Sequence, residues 1–374
     1  MSADDKKPKS EEKPKVDPKP KAEEKPKTAT QLKADPQQVH MTVVLKHARP
    51  LTACRFDPTG KFVFSGAEDN TIQRWTVADA KPSADGKAPS EAKMTSFEAH
   101  DSWVRAIGFS LDGQTMFTGG YDGRLIFWPT AADKPTPTKK IDAHNGWIRA
   151  IAVSGDGKLI ATCGNDNLVK LWSAADGKLV RELKGHENHV YNVAFHPDGK
   201  SLVSCDLKAK YKHWELASGK LLRDFATEDL YKYDTGFRAD IGGARSLAFS
   251  LDGKLLGAGG ITKVTNAFAG IGNPAVAEID WESGKLKVLH TGKEAVSGVI
   301  WGLAQHVDGF WVGISGTRSG GGGLYFWKPG EVNEFFRFAP PAVGRDMAMH
   351  PDGVQLAIAH ADGNLRLYRM AKKV

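Results

Sequence analysis

Cysteine is scarce in this sequence, with 3 Cys among 374 residues. An odd number of cysteines without a Cys-x-x-Cys pair excludes a disulfide framework and a cysteine-rich zinc site. Because Cys54, Cys163 and Cys205 lie in apolar, strand-like segments, we expect them to be reduced and buried. No apolar run approaches the ~20 residues that cross a bilayer, and the N-terminus lacks the apolar segment of a signal peptide. The sequence therefore predicts a cytoplasmic protein without a membrane-spanning segment.

Aromatic residues are missing from residues 1–36, which hold 10 Lys, 8 Asp or Glu and 6 of the 19 Pro. A hexapeptide pattern recurs in this segment as KPKSEE, KPKVDP, KPKAEE and KPKTAT. The segment has little apolar surface to offset the entropy cost of ordering its backbone, so we predict a disordered tail over residues 1–38. Its net charge is only +2 (10 minus 8) of the chain's +7. Interleaved charges favour a solvated tether over an arm that binds acidic partners or nucleic acid.

Glycine, by contrast, is abundant, with 40 residues, and it marks a recurring turn. An Asp-Gly turn between two apolar runs predicts a tight hairpin, because Asp and Gly both accept positive φ. The seven turns are Thr59-Gly60, Asp112-Gly113, Asp156-Gly157, Asp198-Gly199, Asp252-Gly253, Asp308-Gly309 and Asp352-Gly353. In five of them an aromatic residue follows the glycine by 15 positions: Trp75, Trp128, Trp172, Trp214 and Tyr368. Insertions delay the equivalents in the other two to Trp281 and Trp327.

Three polar positions repeat in register with these aromatic residues. A His stands 28 residues before the Trp, a Ser or Thr ten before it and an Asp six before it. The complete sets are His47, Ser65, Asp69 and Trp75; His100, Thr118, Asp122 and Trp128; and His144, Thr162, Asp166 and Trp172. The segment "AHNGWIRAIAVSGDGKLIATCGNDNLVKLW" is typical of these units. The arrangement resembles the WD-repeat family, whose units of ~40–45 residues form four-stranded blades.

The resemblance covers residues 39–374 and implies an all-β, seven-bladed β-propeller of four-stranded antiparallel blades. It also implies that each His, Ser or Thr, Asp and Trp set forms a buried, hydrogen-bonded tetrad that is structural rather than catalytic. The last unit has residues for only three strands, whereas the segment from His40 to His47 alternates like a strand. We therefore predict that this N-terminal strand completes the last blade and closes the ring.

Several units depart from the pattern. The fourth has Lys208 where Asp is expected, so we expect His186, Ser204 and Trp214 to lack a carboxylate. The fifth and sixth keep an aromatic residue but lose the polar set, and the seventh has Pro340 and Tyr368 in the His and Trp places. His196 and His350 lie in His-Pro-Asp-Gly turns, which we expect to be exposed.

The same resemblance implies which residues open onto the top rim of the central channel. They are Trp103, Arg105, Tyr121, Trp147, Arg149, His189, Tyr191, Arg245, Trp301 and Arg345. Tyr, Trp and Arg are typical of interface hot spots, and Arg binds carboxylates and phosphates with two parallel hydrogen bonds. We therefore predict a non-catalytic scaffold that binds an acidic or phosphorylated peptide or protein at this rim. The opposing interpretation is that the arginines pair with neighbouring acids such as Glu68, or simply stay hydrated.

Two other functions remain as alternatives. The rim suits a nucleic-acid platform, in which aromatic rings stack on bases and Arg holds phosphate. A propeller enzyme with residues converging in the channel is the other, although no catalytic or dinucleotide motif is found and "HENH" (186–189) lacks the spacing of a zinc site. We expect no cofactor and no metal, and a monomer that works within a larger complex. The insertion at 259–281 is a further candidate for specificity.

Overall fold

We describe the fold from a computed structural model of the chain. The structure describes Met1 and residues 33–82, 88–266, 270–294, 296–317 and 321–373. Most of the predicted tail, residues 2–32, lies outside this described part. Residues 33–38 of the predicted tail are described and include a short 3-10 helix, Pro36–Gln38. Ala34 and Pro36 are buried, and the N–H of Asp35 bonds the carbonyl of Met370, so these residues pack on the folded domain.

The described residues form seven four-stranded antiparallel sheets, which are the blades of a propeller. The first strand of the chain is β1 (Val39–Lys46). Blade 1 contains β2 (Leu51–Phe56), β3 (Phe62–Ala67), β4 (Thr71–Thr76) and β5 (Met94–Glu98). Blade 2 contains β6 (Val104–Phe109), β7 (Thr115–Gly120), β8 (Arg124–Pro129) and β9 (Lys139–Asp142). Blade 3 contains β10 (Ile148–Val153), β11 (Leu159–Gly164), β12 (Val169–Ser173) and β13 (Leu179–Leu183).

The second half of the ring follows the same order. Blade 4 contains β14 (Val190–Phe195), β15 (Ser201–Asp206), β16 (Lys210–Glu215) and β17 (Leu221–Ala226). A separate hairpin follows, made of β18 (Tyr231–Asp234) and β19 (Ala239–Gly242). Blade 5 contains β20 (Ser246–Phe249), β21 (Leu255–Asn266), β22 (Ile271–Asp280) and β23 (Leu286–His290). Blade 6 contains β24 (Val299–Gln305), β25 (Trp311–Gly316), β26 (Leu324–Trp327) and β27 (Phe336–Phe338).

Blade 7 joins the two ends of the folded chain. It contains β28 (Gly344–Met349), β29 (Gln355–His360) and β30 (Asn364–Met370), and β1 is its outer strand. The pairing of β1 with β30 runs from Val39 opposite Met370 to Lys46 opposite Asn364. The predicted closure by an N-terminal strand is therefore confirmed. Two further 3-10 helices, Val77–Asp79 and Glu228–Leu230, lie between blade strands. None of the described helices is long and apolar enough to span a membrane.

The predicted turns lie between the first and second strands of every blade. All seven turn glycines have positive φ, between 68° and 89°. In six blades the repeated aromatic residue lies on the third strand and pairs with the same position of the second strand. Examples are Trp172 opposite Ile160 and Tyr368 opposite Leu356. In blade 5 this position belongs to Ile279, opposite Leu256, so the assignment of Trp281 was wrong by two residues. The long β21–β22 hairpin sets the register there, and Trp281 packs on His196 and His213 instead.

The His–Asp–hydroxyl–Trp tetrad is present in blades 2 and 3. His100 contacts Asp122 at 3.0 Å through Nδ1 and Thr118 at 2.8 Å through Nε2, and the indole of Trp128 donates to Thr118 at 2.9 Å. Blade 3 repeats this geometry with distances of 2.8, 2.7 and 2.8 Å. A buried network whose members are all paired fixes one packing of each blade.

Blade 1 does not form the expected tetrad. His47 contacts Asp69 at 2.7 Å, but through Nε2 rather than Nδ1. The hydroxyl of Ser65 donates to the carbonyl of Ala53 at 2.8 Å, and no hydrogen bond joins Ser65 to His47 or Trp75 among the described residues. The His–hydroxyl and Trp–hydroxyl links of blades 2 and 3 are therefore absent from the described residues of blade 1.

Blade 4 was expected to lack a carboxylate, and this expectation is wrong. Asp206, two residues before Lys208, accepts from His186 Nδ1 at 3.0 Å, while His186 Nε2 contacts Ser204 at 2.7 Å. In blade 2 the equivalent residue is Gly120, where an added Cβ would lie 2.6 Å from both the Asp122 carboxylate and His100. A side chain at this strand position therefore points into the same space as the turn aspartate, which is why either position can supply the carboxylate.

Blades 5 and 6 share a buried polar network that the sequence did not reveal. Glu278 of β22 contacts His290 at 3.3 Å and accepts from the indole of Trp311, on β25, at 2.8 Å. Burial opposes ionisation, but the hydrogen bonds from His290 and Trp311 hold the pKa of Glu278 below its usual value. This network replaces the missing tetrads and connects the two blades.

The histidines of the His-Pro-Asp-Gly turns are not exposed as expected; their side chains are mostly buried. His196 contacts the carbonyl of Gly253 at 3.0 Å, and His350 contacts that of Gly60 at 3.1 Å, each in the next blade. Each Nδ1 accepts a backbone N–H, so Nε2 carries the proton and donates across the seam. The three cysteines are buried and unpaired as predicted.

Acid is expected to destabilise the propeller through His360, which is fully buried. Burial first, and then Arg366, lower its pKa to about 4, whereas an unfolded histidine titrates near 6.5. Between these values the unfolded chain binds a proton that the folded chain does not, so the free energy of unfolding falls as the pH decreases. Above pH 6.5 this histidine is neutral in both states and does not change the stability. We expect a loss of roughly 2–3 kcal/mol between pH 7.5 and 4.5 from this group. Urea unfolding at both pH values should show a smaller loss for His360→Gln; equal losses would contradict the assignment.

Candidate functional site

The first strands of all seven blades surround a central cavity of about 540 Å³. At the start of six of these strands the register shifts by one residue. A β-bulge of this kind re-aims the extra side chain away from the sheet. The bulged residues are Thr52, Arg105, Arg149, Tyr191, Trp301 and Arg345. Arg245 immediately precedes β20 and holds the equivalent place in blade 5. Local strand geometry therefore brings these side chains to one end of the cavity.

Three aromatic rings from blades 2 and 3 form a continuous stack at this end. Trp103 and Tyr121 have ring centroids 5.9 Å apart, and Tyr121 and Trp147 are 4.1 Å apart and nearly parallel. Trp103 and Trp147 are each 42% exposed, although large aromatic side chains are usually buried. The stack therefore presents aromatic surface to solvent.

Three arginines continue this stack around the cavity. Arg149 lies 4.7 Å from the centroid of Trp147 and 4.8 Å from that of Tyr191. Arg245 lies 3.9 Å from the centroid of Tyr191 and 5.8 Å from that of Trp301. Arg105 lies 5.9 Å from the centroid of Trp301. These contacts join eight residues into a belt that we call the channel mouth: Trp103, Arg105, Tyr121, Trp147, Arg149, Tyr191, Arg245 and Trp301.

The three arginines of the channel mouth have no acidic partner within ion-pair distance among the described residues. Arg105 donates to the carbonyl of Thr52 at 2.6 Å, and Arg149 donates through Nε to Asn165 at 2.8 Å. The Nε of Arg245 is buried without a hydrogen-bond partner in the part of the chain that the structure describes. Burial lowers the pKa of Arg149, and the like charges of Arg245 and Arg105 lower it further. The mouth therefore holds three mutually repelling cations that a bound anion would stabilise.

The two remaining rim candidates make none of the contacts that define this belt among the described residues. Arg345 pairs with Glu68, which agrees with the opposing interpretation for this one arginine. His189 is exposed, and burial of part of its ring together with Arg149 lowers its pKa below 6.5. His189 is therefore mostly neutral at pH 7 and adds little charge to the mouth.

Sequence reasoning missed an ion pair inside the cavity. Arg55 contacts Asp346 at 2.7 Å, and Asp346 also accepts the backbone N–H of Cys54 at 3.0 Å. Because this pair is neutral overall, the excess positive charge of the cavity lining comes from the three arginines of the channel mouth.

The described residues contain no cluster of three or more His, Cys, Asp or Glu side chains suited to hold a metal ion. The two histidines of "HENH" have different surroundings: His186 is buried in the blade 4 network, whereas His189 is exposed.

A family model described as "WD domain, G-beta repeat" matches residues 39–76, 91–129, 135–173 and 177–215. The chain is similar to striatin of Mus musculus, with 25% identity over 96 residues, which are 26% of this chain and 12% of striatin. It is similar to the chromatin assembly factor 1 subunit FAS2 homolog of Oryza sativa subsp. japonica, with 28% identity over 80 residues, 21% of this chain and 15% of that protein.

A third relative is protein hir1 of Schizosaccharomyces pombe, with 27% identity over 89 residues, 22% of this chain and 10% of that protein. The chain thus spans a small part of the length of the curated relatives that it matches. The four matched repeats lie in the first four units of a ring of seven four-stranded blades, and blades 2, 3 and 4 keep the hydrogen bond from Trp to the hydroxyl. The chain belongs to the WD-repeat β-propeller family.

Proposed function

We propose that this propeller is a non-catalytic interaction scaffold that binds an acidic or phosphorylated segment of a protein partner at the channel mouth. The observation that carries the proposal is the group Arg105, Arg149 and Arg245, which meets aromatic rings but no carboxylate among the described residues. A carboxylate or phosphate would pair with these cations and relieve their repulsion. Exposed Trp and Tyr beside Arg are the residues that contribute most to protein interfaces.

Protein partners fit the family better than a chemical substrate. WD-repeat propellers generally act as scaffolds in complexes, and the name of one relative describes it as a subunit of an assembly factor. We propose that this chain acts in the same manner, as a single propeller within a larger cytoplasmic complex. The nucleic-acid alternative is less well supported, because Tyr121 already stacks on both tryptophans and its faces are not open to bases.

Replacing Arg105, Arg149 and Arg245 by Ala together is expected to weaken binding of an acidic peptide about 30-fold or more. Hydrogen bonds to charged groups contribute about 1.5–3 kcal/mol each, so the loss of even one or two reaches this factor. The measurement is fluorescence anisotropy with labelled octapeptides that carry six glutamates, six glutamines, or two phosphoserines among neutral residues. The glutamine peptide should bind neither protein.

The matched control is the triple variant Lys158→Ala, Lys178→Ala and Lys254→Ala. Like the arginine variant, it removes three positive charges. Its three lysines are strongly exposed and pair with turn aspartates on the face of the propeller opposite the channel mouth. Equal affinities of the two triple variants would refute the site. Tighter binding of an oligothymidine single strand than of either acidic peptide, with a steep salt dependence, would instead support the nucleic-acid alternative.

A further inference from the structure

Blade 5 carries two insertions on the face of the propeller that bears the channel mouth. One is the β18–β19 hairpin, in the connection from β17 to β20; the other is the extension of β21 and β22 beyond Gly260. In antiparallel blades the connection into a blade and the loop between its second and third strands leave from the same face. We call the described part of these insertions, residues 228–243, 261–266 and 270–275, the ridge.

The ridge has a small core of its own and is therefore a fixed wall. Ile241 of β19 packs with Ile261 and Val264 of β21, and all three are buried. The ammonium of Lys232 donates to the carbonyl of Val264 at 2.7 Å and holds the two insertions together. Burial of these apolar side chains favours an ordered arrangement of the two insertions against one another.

The base of the ridge borders the channel mouth on two sides. The ideal position of a Cβ on Gly243, at φ +79°, lies 3.1 Å from Cδ2 of Tyr191, so the hairpin contacts this mouth residue directly. Trp301 packs against the apolar core of the ridge. Arg245 follows the hairpin after only two residues. A segment bound at Arg245 therefore extends onto the ridge when it leaves the mouth in that direction.

The outer face of the ridge carries exposed aromatic rings. Lys232 and its cross-strand neighbour Ile241 face β21, so Tyr233 and its cross-strand neighbour Asp240 face the opposite side. Tyr233 is 49% exposed and Phe237 is 51% exposed. Arg238, beside Phe237, is also exposed and has φ +48°, a backbone conformation that non-glycine residues adopt at some cost. Exposed aromatic rings on a fixed wall suit contact with an apolar side chain of a bound segment.

We infer that the ridge binds an apolar side chain of the segment whose acidic residues occupy the channel mouth. This inference rests on the proposed function and narrows its ligand to a peptide in which an acidic cluster is followed or preceded by an aliphatic or aromatic residue. The mouth supplies charge recognition, and the ridge supplies selectivity among acidic peptides. The apolar contact and the charged contact then come from different blades and are separable by mutation.

The test uses three labelled decapeptides of equal charge, each with six consecutive glutamates. In the glycine peptide four glycines follow the glutamates. In the two leucine peptides a pair of glycines separates the glutamates from a pair of leucines, which stands at the C-terminus of one peptide and at the N-terminus of the other. We expect the wild-type full chain to bind one of the leucine peptides about ten-fold more tightly than the glycine peptide, which is the effect of burying one aliphatic side chain.

Two variants show whether the ridge causes this preference. The ridge variant Tyr233→Ser/Phe237→Ser should lose the preference for leucine and keep its affinity for the glycine peptide. The matched control is Leu179→Ser/Val180→Ser, which changes two similarly exposed apolar residues on the outer strand of blade 3. This control should keep both the preference and the affinity of the wild-type chain.

The outcomes separate the two proposals. A ridge variant that keeps the ten-fold preference, or a wild-type chain that shows none while it still binds the glycine peptide, would overturn the inference and leave the proposed function standing. If none of the three acidic peptides binds the wild-type chain, the inference fails, and the proposed function fails with it when the phosphoserine octapeptide does not bind either. Loss of the preference in the ridge variant alone would support the inference.

Discussion

Removal of strand β1 is expected to abolish the stable fold, in contrast to removal of the residues before Lys33. β1 is the outer strand of blade 7 and pairs with β30 over its whole length. Val43, Val44 and Leu45 are buried, and their burial contributes roughly 1.5–3 kcal/mol each. The sum is comparable with the net stability of a whole domain, typically about 5–15 kcal/mol. A chain that starts at residue 47 should therefore be aggregated or should unfold at least about 10 °C lower.

The informative comparison is between chains that begin at residues 33 and 47. The first keeps the contacts of Ala34 and Pro36, which the sequence had placed in the tail, and should melt within a few degrees of the full chain. Differential scanning calorimetry of both proteins measures the effect. Similar melting temperatures for the two truncated chains would mean that the ring does not depend on β1, and the closure would have to be abandoned as a source of stability.

The sequence allowed the propeller to be predicted because its signals are local and repeated. A turn glycine with positive φ and an aromatic residue 15 positions later lie in one hairpin, so their spacing depends on strand length alone. Closure was predictable for a similar reason, since a strand was in surplus at one end of the chain and missing at the other. The candidate arginines of the mouth came from the resemblance to the WD-repeat family, and three of the four occupy the bulged position of a first strand.

What the sequence did not reveal depends on contacts between distant residues. Glu278 meets Trp311 across a blade seam, and nothing in the spacing of either indicates the other. The assignment of Trp281 was wrong because the insertion lengthens the β21–β22 hairpin, and its register is set by the pairing of the two strands, which the sequence does not show. The arrangement of the mouth belongs to this class, because Arg105 meets Trp301 from a blade on the other side of the ring. The insertion was visible as extra length, but its union with β18–β19 into a ridge was not.

Replacing Asp206 by Ala is expected to cost about 3 kcal/mol of unfolding free energy, a large effect for one substitution. Asp206 is buried and accepts from the ring of His186 and from the backbone N–H groups of Lys208 and Lys210. Its removal leaves these donors unpaired in a site that water reaches poorly, at a cost of about 1–3 kcal/mol for each buried group. Urea unfolding at pH 7.5 measures the change, with Lys208→Ala as the control for the neighbouring turn residue.

A rescue experiment separates the role of this carboxylate from a general effect of mutation. In blade 3 the equivalent residues are Gly164 and Asp166, so Asp206→Gly/Lys208→Asp moves the carboxylate to the turn. The residue that follows has positive φ in both turns, 65° at Asn167 and 53° at Ala209, so the backbone already has the required shape. The double variant should recover at least half of the lost stability, about 1.5 kcal/mol or more, even though it gives up the contact of Lys208 with Asp240. If it is no more stable than Asp206→Ala, then strand position and turn position are not interchangeable sources of the carboxylate, and the account of the shifted tetrad is wrong.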